Sequence, residues 1–140
     1  MPAFADDAAR DAFLASPRLA ILITQRAEGP PMGVPVWFEW ADGAVHMFAA
    51  AGSVKLRRLA RDPSASVLVT NHIGEREAWV AFDGTVEVRE EDVTDLVGRL
   101  GEKYWDMNDP ERRATLDAWV AAKEAFVGLR LVPDRIRTGQ

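Results

Sequence analysis

Residues 34–63, VPVWFEWADGAVHMFAAAGSVKLRRLARDP, constrain the fold more than any other stretch of the chain. Val34–Trp40 is apolar and aromatic, rich in side chains that suit a pleated, half-buried surface, and so predicts a strand. Asp42-Gly43 is the strongest short hairpin signal, and Ala44–Ala49 returns as the partner strand. Ala50-Ala51-Gly52 then lets the backbone approach closely. Ser53 falls where a helix N-cap belongs, and Lys55 follows in a basic helix, Ser53–Arg61, that Asp62-Pro63 stops. A helix N-terminus with exposed N–H groups, a hydroxyl and an ammonium is suited to phosphate. An apolar two-stranded floor beside such a corner suits a flat aromatic ring carrying a phosphorylated tail. A serine-capped helix with a solvated lysine is the competing reading of the same residues.

The remaining elements follow from periodicity and punctuation. Residues 5–15 predict a short amphipathic helix ending before Ser16-Pro17. Arg18–Thr24 predicts a buried strand, Gln25–Gly33 a turn region, and Ala65–Asn71 another strand. Trp79–Arg89 predicts a long strand bent or bulged at Gly84, with Trp79 on the face opposite Val80 and Phe82. Helices are expected over Glu91–Tyr104 and from Pro110, capped by Asn108-Asp109, to Ala122. Ala125–Val132 reads as a final strand and the residues from Pro133 as a tail carrying Arg135 and Arg137. About six strands come in runs with hairpin signals, against three or four helices. A mainly β fold, an antiparallel barrel with appended helices, is therefore expected, as a single domain over residues 1–140.

Several classes of function are disfavoured. The chain has no cysteine, which removes disulfides, thiolate catalysis and cysteine-held metals. Its net charge of −5 argues against general nucleic-acid binding, with only the short patch Arg57, Arg58 and Arg61 to set against it. No apolar run approaches the ~20 residues of a membrane span, and the acidic N-terminus lacks the form of a signal peptide. A cytoplasmic protein without a membrane or nucleic-acid partner is expected.

The only histidines, His46 and His72, are not at ligand spacing with each other or with carboxylates, so no metal site is expected. Glu75, Glu77 and Asp83 could pair as carboxylates, but solvated charge accounts for them as well. There is no P-loop, no G-x-G-x-x-G and no G-x-S-x-G. What remains is the corner from Gly52 to Lys55, where Lys55 is one of three lysines in an arginine-rich chain.

Pro35-Val36-Trp37-Phe38, Asp42-Gly43 and the run Gly52–Pro63 together resemble the pyridoxamine 5′-phosphate oxidase-like split-barrel flavoproteins, and more narrowly their small branch that holds FMN or deazaflavin. Trp79–Val88 with Gly84, and Val127–Arg137 with Pro133, extend the resemblance from about Ser16 to Arg137. It implies a split β-barrel homodimer with cofactor bound in clefts between protomers. Ser53 and Lys55 would bind the cofactor phosphate, with Arg57 adding a second positive charge. Val34, Pro35, Val36 and Trp37 would lie along the ring through backbone groups. Phe48 and Ala49 would meet ring and tail, and Trp79 falls where the true oxidases carry a cofactor-contacting glutamine.

The resemblance further implies an oxidoreductase using FMN or deazaflavin coenzyme F-420, passing hydride between the ring and a small organic substrate. It assigns no catalytic acid or base; a substrate proton would come from water or from Tyr104 if that residue reaches the cleft. Gly33 stands where the true oxidases open the ring strand with arginine, Ala49 where threonine is common, and their C-terminal Trp and Arg lack counterparts. Oxidation of pyridoxamine phosphate is therefore not expected. The alternative is a non-catalytic flavin- or haem-binding sensor built on the same dimeric barrel.

Overall fold

The computed structural model describes residues 2–140. Its element order is α1 (Asp7–Ala15), β1 (Ala20–Thr24), β2 (Met32–Val36), β3 (Glu39–Ala41), β4 (Ala44–Ala50), α2 (Val54–Arg61), β5 (Ser64–Thr70), β6 (Trp79–Arg89), α3 (Thr94–Tyr104), α4 (Pro110–Ala121) and β7 (Phe126–Gly139). The strands form one antiparallel sheet in the order β2-β1-β5-β6-β7-β4-β3, curled around a common core. This is the split barrel that the resemblance implies, with seven strands rather than six.

The extra strand comes from a break in the run Val34–Trp40. β2 pairs with β1 at one edge of the sheet, and β3 pairs with β4 at the other. Only Trp37 and Phe38 join them. Phe38 is fully buried, and its backbone bonds go to helix α3: its N–H donates to the Tyr104 hydroxyl (3.3 Å) and its carbonyl accepts from Lys103 Nζ (2.9 Å). Two side chains thus satisfy backbone groups that would otherwise have to pair in a sheet. The Asp42-Gly43 signal does form a hairpin, both residues having positive φ (53° and 71°), but between β3 and β4 only.

Inward-facing side chains alternate along the strands. Ala20 and Leu22, Val67 and Val69, Val80 and Phe82, and Leu129 and Leu131 fill the barrel with Phe38, Val45 and Met47, each at most 1% exposed. β6 is bulged between Asp83 and Gly84, where β7 passes so close that a Cβ on Gly84 would lie 2.6 Å from the Val132 carbonyl. β7 runs past Pro133 to Gly139, so the expected tail is sheet, paired with β6 from Gly128 to Gly139 except at the bulge. The helix expected from Glu91 begins at Thr94. The Asp109 carboxylate caps α4 by accepting from the N–H groups of Glu111 (3.0 Å) and Arg112 (3.4 Å), with Pro110 in the first turn.

Candidate functional site

The corner after β4 has the local structure expected and one departure. Gly52 takes φ +76°, a conformation that needs glycine, and delivers Ser53 to the N-cap of α2. The Ser53 backbone fits the position, but its hydroxyl makes no capping bond. Ser53 Oγ is instead buried with no hydrogen-bond partner among the described residues. Buried hydroxyls are normally paired, and an orphan carries a desolvation cost of roughly 1–3 kcal/mol. It sits beside the unsatisfied first amides of a helix that carries no acidic residue in its first turn. Lys55 is half-buried there; desolvation, helped by the Arg58 charge, holds its ammonium below the usual lysine range. Arg57 is exposed, and Arg61 donates to the Gln25 carbonyl (2.8 Å). The corner thus joins an unsatisfied hydroxyl, a partly desolvated cation and a helix N-terminus, a donor set suited to an anionic oxygen group.

The strand of the expected ring floor lies at a free edge of the sheet. Val34 and Val36 turn inward against the core, and their strand offers its unpaired side to whatever lies next to it. Pro35 brings no N–H to this edge. Trp37 leaves the sheet and joins a cluster of half-buried rings. It stacks on Tyr104 (centroids 5.1 Å apart, planes 3° off parallel) and stands edge-on to Trp105 (5.0 Å) and Phe48 (6.2 Å). Trp119 and Phe126 complete the group, and Phe126 pairs with Ala50 at the foot of the corner. Phe48 therefore stands between the corner and Trp37. Ala49, 4% exposed, points its methyl into the core, so only its backbone faces the sheet edge region.

Trp79 does not join this group within one chain. It pairs with Gly139 at the far end of β7 from Phe126, a separation along the strand of about 40 Å. Its indole lies on the outer face of the sheet, against the Gly139 backbone. That face carries a cross-strand row Pro35, Ile21, Leu68, Ala81 and Arg137, and a second row Gly33, Ile23, Ser66, Asp83 and Arg135.

Tyr104 is occupied structurally. Its hydroxyl donates to the Arg18 carbonyl (2.6 Å) and receives the Phe38 N–H, and burial raises its pKa. It is therefore no ready source of a substrate proton, contrary to the possibility raised by the sequence. The carboxylates are also placed. Glu75 makes a bidentate pair with the buried Arg18 (2.6 and 3.0 Å), and Asp83 one with Arg137 (2.7 and 2.9 Å). His46 Nε2 lies 3.1 Å from the Ala41 carbonyl. Among the described residues no group of three or more His, Asp or Glu could hold a metal ion.

Arg18 and Arg137 escape the sequence reading. Arg18 looks like the polar start of a strand, yet it is 6% exposed. Arg137 had a visible signal: Arg135, Ile136 and Arg137 alternate charge and apolarity beyond Pro133, as an extended strand would.

A single antiparallel sheet curled into a barrel, split between β2 and β3 and bearing an anion-suited helix N-terminus, defines the split-barrel class. The chain belongs to the pyridoxamine 5′-phosphate oxidase family, whose model matches residues 6–138. It is similar to the conserved hypothetical protein Rv2991 from Mycobacterium tuberculosis (27% identity, TM-score 0.72), covering 95% of this chain and 83% of that one. An F420 reductase has the same fold at 18% identity and TM-score 0.71, with 91% and 94% of the two chains covered. So does a FAD-binding protein from Mesorhizobium loti, at 21% identity and TM-score 0.63, with 95% and 91% covered. No curated protein sequence matches the chain.

Proposed function

We propose that the protein is a flavin-type oxidoreductase acting on a small organic substrate, with FMN as cofactor and deazaflavin F-420 as the alternative. The observation that carries this reading is the buried, partnerless Ser53 hydroxyl beside half-buried Lys55 at the start of α2. These residues fit a phosphate, whose oxygens would accept from the hydroxyl, the ammonium and the helix amides together. The names of two similar structures, an F420 reductase and a FAD-binding protein, support a ring cofactor of this kind.

Ser53 and Lys55 would hold the phosphate, with Arg57 adding charge from the exposed side. The free edge from Val34 through Val36 would align the ring by backbone contact, and Trp37, Phe48 and the Ala49 backbone would close its apolar side. When bound, the ring supplies the redox chemistry by exchanging hydride with the substrate. The chain contributes anchoring, orientation and exclusion of water. Gly33 and Ala49 argue against pyridoxamine phosphate as substrate.

A homodimer completes the proposal. Ile21, Ile23, Leu68 and Trp79 on the outer rows are only half-buried, and a second copy would bury them, bringing its own Trp79 toward a cleft that one chain cannot build alone. We take residues 1–140 as one domain and the protein as cytoplasmic, acting without nucleic acid or membrane. No helix among the described residues is long and apolar enough to cross a membrane. A non-catalytic flavin or haem carrier is the second reading, favoured by the commitment of Tyr104 to the Arg18 carbonyl.

Parallel fluorescence titrations with FMN and F-420 test the proposal. Saturable binding of one of them, weakened at least tenfold by Lys55→Ala, is expected. If neither binds, the corner is only the start of a helix and the redox reading falls.

A further inference from the structure

A cavity of about 480 Å³ opens between the end of α3 and one side of α4, away from the sheet face that a second copy would cover. Trp105, the C-cap of α3, forms one wall. Arg112, Thr115 and Trp119 recur at intervals of three and four along α4 and so share one side of that helix. Asp109 and Glu111 complete the lining at the start of α4. No residue of the Ser53 corner, the β2 edge or the outer rows belongs to it. Trp37 and Phe48, which pack against these indoles, are not part of the lining either.

The chain itself shows what these rings attract. The Arg112 guanidinium lies 4.7 Å over the Trp105 ring, and no hydrogen bond or ion pair holds it there among the described residues. It rests on the ring face alone, by attraction between a cation and the ring quadrupole. Trp119 is tilted 43° to Trp105, with centroids 5.1 Å apart, so the two indoles present neighbouring surfaces to the cavity. The neutral polar group is already spent, since the Thr115 hydroxyl donates to the Glu111 carbonyl (3.0 Å). Two carboxylates, Asp109 and Glu111, against one guanidinium leave the lining with a net charge of one negative unit.

We infer that this cavity is a binding site for a small quaternary ammonium compound, its cationic head on the Trp119 and Trp105 rings and its charge balanced by Glu111. Such a head has no N–H and asks for no acceptor in line; ring faces and a nearby negative charge supply its recognition. A few convergent polar groups beside aromatic walls are the usual form of a small-ligand site. Arg112 is then a resident competitor, which covers the Trp105 face and adds a like charge. The site goes beyond the proposed redox reaction and requires no flavin.

The test follows the indole N–H resonances of the five tryptophans by NMR during titration with choline, then with its neutral isostere 3,3-dimethyl-1-butanol. Trp105→Phe and Trp119→Phe assign the two signals. Choline should move the Trp105 and Trp119 signals saturably, with the alcohol at least fivefold weaker. Glu111→Gln should weaken choline severalfold and leave the alcohol unchanged. Arg112→Ala, which frees a ring face and removes a like charge, should bind choline at least threefold more tightly. Both of these residues are exposed, so neither change threatens the fold. Equal affinity for choline and the alcohol in the unmodified protein, or no movement of either signal, would overturn the inference. So would an Arg112→Ala protein that binds choline more weakly than the parent, since the guanidinium would then be a ligand-binding group for an anion.

Discussion

Trp37 lies flat on Tyr104, ring planes 3° from parallel, while the Tyr104 hydroxyl reaches past it to donate to the Arg18 carbonyl at 2.6 Å. One side chain of α3 thus braces both the crossing between β2 and β3 and the entry to β1. Tyr104→Phe keeps the ring stack and removes the hydroxyl. It leaves the Arg18 carbonyl and the Phe38 N–H short of a partner, a loss of about 1–3 kcal/mol. Urea denaturation should report that loss; an unchanged midpoint would show that the hydroxyl is not a brace.

Ser53→Ala separates a phosphate ligand from a helix cap. Replacing a serine that caps a helix costs about 1 kcal/mol. Here the hydroxyl caps nothing and is buried without a partner, so the substitution should relieve its desolvation cost and leave the free protein at least as stable as the parent, by up to about 1–3 kcal/mol. Cofactor affinity should fall severalfold in the same variant. Denaturation with and without FMN or F-420 measures both at once.

Acid should loosen the protein through Glu75. The Arg18 guanidinium, with the His72 N–H second, holds this carboxyl down to about 2 from the ordinary 4.5. A carboxyl that binds its proton more weakly when folded stabilises the fold fully above its unfolded value and loses that contribution as pH falls toward the folded one. Asp83 adds the same dependence from 3.8 to about 2. The melting temperature should therefore decline steadily from about pH 4.5 to pH 2. Glu75→Gln should melt lower at pH 7 and show a shallower acid decline.

Gly84→Ala should destabilise by about 1–3 kcal/mol, the usual range for overpacking. Its new methyl would meet the Val132 carbonyl, and backbone cannot step aside as a flexible side chain can. Calorimetry would show the shift, and a melting temperature equal to the parent's would mean that the bulge can open freely.

Leu68→Glu places a charge at the centre of the outer apolar row, between Ile21 and Ala81. If that row is the dimer face, light scattering should give a dimer for the parent and a monomer for the variant, with little loss of fold. A monomeric parent at micromolar concentration would remove the shared cleft.

Local rules carry the sequence a long way where local energetics decide. Trp79–Arg89 and its bulge at Gly84 are legible because alternation persists over a whole strand and a glycine interrupts it. The Asp109-Pro110 cap is legible because capping depends on neighbours in sequence. The break in Val34–Trp40 is not, since it depends on Tyr104 and Lys103, which lie more than sixty residues away. Arg18 is hidden for the same reason: its burial requires Glu75 from a distant loop. At the candidate site, chain order reveals Ser53 and Lys55, but only the fold shows that the serine hydroxyl is stranded and that Trp79 stands at the other end of β7.

The position of β7 in the sheet bears on how the chain is made. β7 lies between β6 and β4, so it alone joins the β3–β4 hairpin to the strands on the other side. Until residues 126–139 have left the ribosome, β4 and β6 each present an open, apolar-flanked edge with no partner. Such edges are where nascent chains pair wrongly. Barrel closure must therefore wait for the last strand, and any chaperone that meets this chain would meet it as two unjoined sheets.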